Sequence, residues 1–413
     1  MADAAAGAQT PAPPSGWWSL AVTTAIQAMV SMALLTLPAM APTVARGLGV
    51  PAALVGGYVA LCYLAAMLSS LAGGTLVRRW GAIRVSQLGL SLCAVGLLVC
   101  ALPWWPAAAL GALFIGAGYG PITPASSHLL ALTTPAHRMA LVFSVKQTGV
   151  PAGGMLAGAL VPGLSLWIGW QGALAVVAAV CAVCAVASQP LRAPLDADRQ
   201  RGQPLALGAL LKPVGMVLGH RSLAVLAACS FLFSAVQVSV TAYMVTYLHQ
   251  SLGMTLLAAG AALSVSQLAG VVGRIAWGAV ADRGWGPRNT LMLLAALMMV
   301  GSVLTALLQP GWPTGLVWAV VALLGASAIG WNGVYLATVA RQAPPGQASA
   351  ATGGTLTFTF MGVVCGSPAF GALAGASGSY RLAFAALAVP AALALGLLTW
   401  RALQAAREAR AAG

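Results

Sequence analysis

Two stretches, LFIGAGYGPITPASSHLLALTTPAHRMA (113–140) and LLGASAIGWNGVYLATVARQAPPGQASA (323–350), can be laid on each other at a constant offset of 210 residues. Pro135 then matches Pro345, and Ala140 matches Ala350. The longest polar stretch of the chain, 189–221, lies between the two copies. The sequence therefore predicts a duplicated unit, one copy on each side of this linker.

The composition is that of a membrane protein. Of the 413 residues, 60% are hydrophobic and 6% charged, and the mean hydropathy is +0.92. Soluble domains carry roughly 25% charged residues, so secreted disulfide scaffolds, disordered chains and nucleic-acid-binding modules are excluded. The net charge of +14 arises from a near absence of acids, of which there are five. It does not indicate a nucleic-acid partner.

Twelve apolar stretches are long enough to cross a bilayer, which takes ~20 residues for ~30 Å of hydrocarbon. Numbered as spans 1 to 12, they are 18–45, 52–77, 84–102, 106–134, 139–163, 169–189, 222–248, 254–281, 289–309, 313–341, 348–376 and 381–402. We expect an all-α membrane protein with twelve transmembrane helices in two pseudo-symmetric six-helix bundles. The expected domains are a disordered cytoplasmic tail (1–16), a first bundle (17–189), a linker (190–221), a second bundle (222–402) and a basic cytoplasmic tail (403–413).

The distribution of cations predicts the orientation. Most of the nineteen Lys and Arg residues fall in the C-terminal tail or in loops on one face, whereas the opposite face holds Arg46 and Arg381. Cytoplasmic loops carry the excess of Lys and Arg, so we expect both termini in the cytoplasm and the protein in the cell (inner) membrane. The basic C-terminal tail is interpreted as a contact with lipid headgroups.

Two loops carry a family resemblance. After span 8, GAVADRGWGPR (278–288) resembles the G-x-x-x-D-R-x-G-R signature of the major facilitator superfamily, with one extra residue before Gly286. After span 2, GTLVRRWGAIR (74–84) keeps the frame, but Arg78 stands where the family has Asp. In that family the Asp caps a neighbouring helix and latches the cytoplasmic gate. The resemblance implies the twelve-helix transporter fold and a gating role for Gly278, Asp282, Arg283, Arg79 and Gly81.

Away from the ends of the apolar spans there are two cations, Lys146 in span 5 and Arg274 in span 8. A charge at such depth costs on the order of 2.5–3.5 kcal/mol and usually faces a cavity or pathway. No Asp or Glu lies inside any span, so the two cations need a mobile counter-charge. Because an Arg fork binds a carboxylate through two hydrogen bonds, and Lys acts as a point charge, an anionic substrate is predicted.

Polar and aromatic residues of the spans are candidate liners of the same cavity. They are Gln27 in span 1, Tyr119 and His128 in span 4, Gln147 in span 5, Gln237 and Tyr243 in span 7, and Trp331, Asn332 and Tyr335 in span 10. Each has the alternative reading of a packed or interhelical hydrogen-bonding residue. Trp331 and Tyr335 are four apart and share a helix face.

The combination of Arg274, Tyr119 and W-x-x-x-Y in span 10 resembles the monocarboxylate and oxalate/formate porter branch of the superfamily. This resemblance implies that the span 8 Arg grips the carboxylate and that the aromatics wall the cavity. Oxalate-type members carry a second cation in span 11, which is absent here. At the offset of 210, however, Lys146 maps to position 356 in span 11.

These observations predict a secondary active transporter that moves a small mono- or dicarboxylate by alternating access, as a proton symporter or an anion exchanger. We expect a monomer without a cofactor. In GVPAGG (149–154), Gly149 and Pro151 form a plausible flexing element. This stretch also resembles, one residue out of register, the G-P-x-x-G-G motif of drug/proton antiporters.

The alternatives are therefore an exporter of drugs or other hydrophobic compounds, and a uniporter or receptor of neutral solutes. Exporters of cationic drugs usually depend on embedded acids, which the spans lack. With four scattered His and no embedded acid, an intramembrane enzyme site cannot be assembled. No phosphate-binding loop of an ATPase is present, so transport is expected to run on gradients.

Overall fold

The computed structural model describes residues 16–133, 142, 145–200, 212–344 and 348–412. All regular structure in these ranges is helical. We number the crossing helices α1 to α12 to correspond with the twelve spans. They are α1 (Gly16–Ala39), α2 (Val55–Trp80), α3 (Ala82–Cys100), α4 (Trp105–Tyr119 and Ile122–Thr133), α5 and α6 (together Gly149–Ala187), α7 (Arg221–Leu252), α8 (Leu256–Val280), α9 (Pro287–Leu307), α10 (Thr314–Ala328 and Asn332–Gln342), α11 (Ala348–Ser377) and α12 (Tyr380–Ala386 and Ala388–Ala412).

Eleven stretches of the described residues are long and apolar enough to cross a membrane. One of them, Val145–Leu195, has 51 residues, and at ~20 residues per crossing it spans twice. It bends at Gly169, whose φ of 77° is in the region that favours glycine. The bend separates α5 (149–168) from α6 (170–187), so the predicted twelve-helix, all-α fold is confirmed.

The ends of two helices differ from the predicted spans. Span 1 was predicted to reach residue 45, but α1 ends at Ala39 and a separate short helix, Ala41–Leu48, follows. Pro42 lies in the first turn of that helix, where a missing N–H is tolerated. At the other end of the chain, α12 continues to Ala412 through the predicted basic tail. The predicted N-terminal tail lies outside the described residues, apart from Gly16.

Two ends of the bundle are named for reference. The basic face is the end where α2 meets α3 and where the linker begins. The opposite face is the end where α1 ends and α2 begins. The linker between the halves contains a 3-10 turn (Gln189–Leu191) and two short helices, Arg192–Leu195 and Lys212–Gly219; residues 201–211 lie outside the described part.

The halves pack through α5 on α8 and through α2 on α11. Glycines make the first contact close, because a Cβ on either Gly158 or Gly260 would collide with the carbonyl oxygen of the other. Beside them, the hydroxyl of Ser264 in α8 donates to the carbonyl of Met155 in α5 at 2.9 Å. Small residues at a helix crossing let backbones approach and form van der Waals contacts that stabilise packing in lipid.

Candidate functional site between the halves

The two embedded cations converge on one residue. Lys146 lies in a helical turn directly before α5, and its Nζ donates to Oε1 of Gln147 at 3.4 Å. Arg274 lies in α8, and its Nη1 donates to the backbone carbonyl of Gln147 at 2.7 Å. The structure therefore brings together three residues that the sequence places in two halves of the chain.

No acid of the described residues forms an ion pair with either of these two cations. Lys146 is 1% exposed, and its hydrogen bond to Gln147 is long and to a neutral group. Among the described residues one ion pair is formed, between His128 and Asp198. All five acids lie outside the twelve spans. The site therefore has positive charge in excess, which an anion of the right size can neutralise.

Arg274 keeps donors free for a ligand. Its Nε donates to the carbonyl of Ile329 at 3.1 Å, in addition to the bond from Nη1 to Gln147. A guanidinium has five N–H donors, so three are left, two of them on Nη2. The side chain is half-buried, which leaves it room to reach a bound group.

An aromatic wall lies beside Arg274 and extends across the halves. Tyr119, at the end of the first segment of α4, is within electrostatic range of the guanidinium. Its ring meets Tyr63 of α2 edge-on, with 5.9 Å between centroids. Tyr63 in turn is 6.2 Å from Phe360 of α11. Neither Tyr63 nor Phe360 could be predicted as a liner from the sequence, because no charged residue near them in the apolar span marks the side that faces the cavity.

A second group of predicted liners lies wholly in the second half. Oε1 of Gln237 accepts from Nε1 of Trp331 at 2.9 Å and from Nδ2 of Asn332 at 3.2 Å. The Trp331 ring meets Tyr335 edge-on at 5.1 Å. Trp331 and Tyr335 are both buried; the hydrogen bond to Gln237 and ring packing occupy Trp331, and ring packing occupies Tyr335. The group is joined to the cations through Arg274, whose partner Ile329 is two residues before Trp331.

Helices α4 and α10 are interrupted at equivalent positions. The first segment of α4 ends at Tyr119, and the second begins at Ile122 after Gly120 and Pro121. The first segment of α10 ends at Ala328, and the second begins at Asn332. At the offset of 210, residue 120 corresponds to 330, so both breaks fall at the same place in the repeat. Interrupted helices at matching positions of two halves are the best pointer to a transporter's binding site.

Gln27 and the flexing element lie against the same region. Gln27 is buried, accepts from Oγ1 of Thr123 at 3.4 Å, and has no partner for its amide nitrogen among the described residues. Gly149 packs on Gln27, since a Cβ there would come within 3.0 Å of the Gln27 side chain. Pro151 is buried in the first turn of α5, where a missing N–H is tolerated, so GVPAGG begins the helix and is a place of close packing.

The comparison with known proteins gives the family. The sequence profile of the Major Facilitator Superfamily matches residues 20–359. The chain belongs to the major facilitator superfamily. It is thus a transporter rather than an enzyme, with transport by alternating access. No curated protein sequence matches the chain.

Solved structures of other superfamily transporters share the fold. The chain is 17% identical to the nucleoside transporter NupG, with 92% of this chain and 98% of that chain covered at a TM-score of 0.75. It is 12% identical to a bacterial homolog of the human lysosomal transporter Spinster in an inward-facing and occupied conformation, with 94% and 97% covered at a TM-score of 0.74. Identities this low indicate the fold alone.

The superfamily signature after α8 forms a tight turn. The helix continues into a π-helical turn, Ala281–Trp285, and Gly284 and Gly286 both have positive φ, 106° and 77°. The extra residue before Gly286 is thus accommodated by glycine conformations. Gly278 has open space around it, and Arg283 is exposed. The side chain of Asp282 lies outside the described part.

The corresponding turn after α2 is contacted by a carboxylate from the linker. Asp196 of the linker is buried, and its two oxygens accept from the backbone N–H groups of Ile83 at 2.8 Å and Arg84 at 3.0 Å. It thereby caps the first turn of α3. Gly81 has a φ of 97°, and a Cβ there would collide with the Asp196 carboxyl group. Arg79 is half-buried at the end of α2, two residues before Gly81.

Two predicted liners contact other parts of the molecule. Tyr243 is buried, and its hydroxyl donates to the carbonyl of Ala53 in the first half at 2.7 Å. Gly56 and Gly371 leave the space for this hydroxyl, so Tyr243 joins the halves at the opposite face. His128 lies in the second segment of α4, and its Nε2 is 2.6 Å from Oδ2 of Asp198 in the linker, at the basic face.

Proposed function

We propose that this transporter carries a small organic anion, a mono- or dicarboxylate, through a site formed by Arg274 and Lys146. The observation that carries the proposal is the convergence of the two cations on Gln147, in a protein whose acids all lie outside the spans. The resemblance of Arg274, Tyr119 and the W-x-x-x-Y pattern to monocarboxylate and oxalate/formate porters supports the same class of substrate.

Charge explains how loading can favour the conformational change. An empty site with two cations resists closure, because closure removes them from water without a counter-charge. A bound carboxylate accepts hydrogen bonds from the free N–H groups of Arg274 and offsets the positive charge of the Lys146 ammonium. Neutralisation then lets the halves rock about the site. We infer either proton symport or anion exchange. In the case of symport, Lys146 or the substrate itself carries the proton.

The same proposal includes the orientation. The Lys and Arg residues concentrate at the basic face, so this face is assigned to the cytoplasm. Both termini are then cytoplasmic, and the membrane is the inner membrane of the cell. Gating is assigned to the two signature turns, with Gly278, Asp282, Arg283, Arg79 and Gly81, and to the helix crossing at Gly149 and Pro151. The working unit is a monomer.

A second candidate function is export of a hydrophobic compound, and one cavity favours it. About 400 Å³ in volume, it lies toward the opposite face and is lined almost entirely by apolar side chains, among them Leu37, Val55, Trp105 and Val364. Drug-sized ligands bind in pockets of this size and character. The carboxylate proposal and this one differ in the ligand that each requires.

Thermal stabilisation of the detergent-purified protein tests the proposal. The panel contains small carboxylates, aromatic acids, inorganic anions and lipophilic cations. A ligand that binds the folded state raises its stability by RT ln(1 + [L]/Kd). We expect stabilisation by one class of carboxylate that is lost in Arg274→Ala and kept in the control Arg46→Ala. Stabilisation by lipophilic cations alone would refute the anion site and support export.

A further inference from the structure

A basic cavity separate from the central site lies at the basic face, between the end of α2, the start of α3 and the linker. It has a volume of about 480 Å³ and is lined by Arg79, Trp80, Arg84, Leu88, Arg192 and Arg199. The four arginines come from three segments of the chain that fold together only at this point. The folded chain therefore brings four guanidinium groups together in this cavity, although no single sequence motif contains all four.

The four guanidinium groups of this cavity form no hydrogen bond or ion pair with the residues that the structure describes. Nε of Arg192 is buried and has no partner among them. A buried donor without a partner costs about 1–3 kcal/mol, which a ligand with acceptor oxygens would relieve.

The carboxylates nearest to the cavity are already engaged. Asp196 exerts an electrostatic effect on Arg192 and Arg199, but its two oxygens accept the backbone N–H groups at the start of α3. Asp198 is bound to His128. Neither linker carboxylate forms an ion pair with the four arginines, so the cavity keeps a net positive charge.

The remaining wall of the cavity is apolar and faces outward. Trp80 is 42% exposed and Leu88 is 37% exposed. Trp80 ends α2 and Leu88 lies in the second turn of α3, so both are at the edge of the membrane-spanning region. Tryptophan is enriched at this depth because its ring suits the headgroup region. A ligand that fills the cavity thus meets cations on one side and hydrocarbon on the other.

We propose that this cavity binds the headgroup of an anionic phospholipid. The phosphodiester oxygens accept from the arginine forks, which match phosphate geometry, and the acyl chains pass over Trp80 and Leu88. Basic pockets at the cytoplasmic side of membrane proteins bind anionic headgroups by this chemistry. The bound lipid would hold the linker against the first half, since Arg192 and Arg199 belong to the linker and Arg79 and Arg84 to the bundle.

The test compares lipids of one acyl composition. The full-length protein in detergent is titrated with phosphatidylglycerol, with phosphatidylcholine and with inorganic phosphate, and its apparent Tm is recorded. We expect phosphatidylglycerol to raise the Tm more than phosphatidylcholine does. In Arg192→Gln/Arg199→Gln, the apparent Kd for phosphatidylglycerol should rise about thirty-fold, at roughly five-fold per arginine near an anionic headgroup.

Two further variants separate the lipid from other ligands. Arg221→Gln/Arg407→Gln removes the same charge from exposed positions on the basic face and should keep the phosphatidylglycerol shift. Leu88→Ser should weaken the lipid shift, because it removes the apolar contact while all four arginines stay. Equal shifts with the two lipids, equal loss in both double variants, or a shift with inorganic phosphate as large as that with phosphatidylglycerol would each overturn the proposal. If Arg192→Gln/Arg199→Gln cannot be purified, Arg192→Lys/Arg199→Lys is used in its place. This variant should also raise the Kd for phosphatidylglycerol.

Discussion

The guanidinium of Arg274 and the backbone carbonyl of Gln147 are joined at 2.7 Å across the two halves of the chain. Hydrogen bonds from a charged donor contribute about 1.5–3 kcal/mol, so this contact stabilises the arrangement in which it is made. A ligand that competes for Arg274 acts on the same bond. In the proposed mechanism, binding at Arg274 would therefore be linked to the relative movement of the halves through this one side chain.

Replacing Arg274 by Lys should weaken anion binding although the charge is kept. A Lys ammonium cannot present the planar fork that bonds both oxygens of a carboxylate. Loss of one charge-assisted hydrogen bond corresponds to an affinity about 10- to 100-fold lower, measured as the Kd from ligand-dependent thermal shifts. Arg381→Lys, at the opposite face, is the control. An unchanged Kd in Arg274→Lys would exclude bidentate recognition.

Removing the charge of Lys146 should change the pH dependence of transport. If Lys146 carries the symported proton, uptake by Lys146→Gln in liposomes should respond less to an imposed pH gradient than uptake by the wild type. Lys212→Gln, which removes the other lysine of the chain, is the control and should behave as the wild type. An unaltered response in Lys146→Gln would rule out the lysine as proton carrier and favour exchange or a proton on the substrate.

Tyr243→Phe should loosen the closure at the opposite face. The hydroxyl donates to Ala53 at 2.7 Å across the halves, and loss of a hydrogen bond of about 1 kcal/mol corresponds to roughly five-fold more frequent opening. Hydrogen–deuterium exchange of the peptide 51–61 should be faster by about this factor. Tyr247→Phe is the matched control, because that hydroxyl bonds to Thr305 within the second half. Equal exchange in the two variants would show that Tyr243 does not hold the halves together.

Gly81→Ala, between α2 and α3, should destabilise the protein, whereas Gly74→Ala within α2 should not. Gly81 has a positive φ and touches the Asp196 carboxyl group, so the expected cost is on the order of 1–3 kcal/mol. Gly74 has no neighbour in the way of a Cβ, and alanine there improves helix propensity by about 1 kcal/mol. The apparent Tm of the two variants should move in opposite directions. A higher Tm in Gly81→Ala would contradict the close approach.

The stabilising effect of Asp196 should decrease as the pH rises. Burial raises the pKa of the Asp196 carboxyl, although the backbone N–H groups of Ile83 and Arg84 lower it. The folded protein therefore binds this proton more tightly than the unfolded chain, and stability falls through the interval above the ordinary pKa of about 3.9. The difference in apparent Tm between the wild type and Asp196→Asn should shrink from about pH 4 upward. A difference that grows with pH would reverse this assignment.

The sequence predicted the helices well but predicted poorly which way their side chains point. The twelve spans follow from hydropathy alone, and the charges of Lys146 and Arg274 stand out because burial of a charge is costly. An apolar helix has no polar stripe to mark the side that faces its neighbours. Tyr63 and Phe360 were therefore missed, and Tyr243 was grouped with residues that it does not contact.

The contact of the linker with the start of α3 could not be predicted for a different reason. Asp196 lies 113 residues from Ile83 along the chain, and no local pattern connects them. The signature after span 2 has Arg78 in place of the family's Asp, but nothing in the sequence indicated that a carboxylate from the linker enters the same turn. Long-range caps of this kind depend on how the linker folds back, which the order of residues does not reveal.

The interruptions of α4 and α10 have different chemical origins. In α4 the break contains Pro121, which has no N–H to donate and so interrupts the helical ladder in any conformation. Between Ala328 and Asn332 there is no proline, and the carbonyl of Ile329 is instead held by Arg274. In the proposed mechanism, a ligand that draws the guanidinium away would release this carbonyl and leave α4 unchanged. The duplicated halves are alike in architecture, but the Arg274 contact would then make the break in α10, and not the one in α4, respond to occupancy.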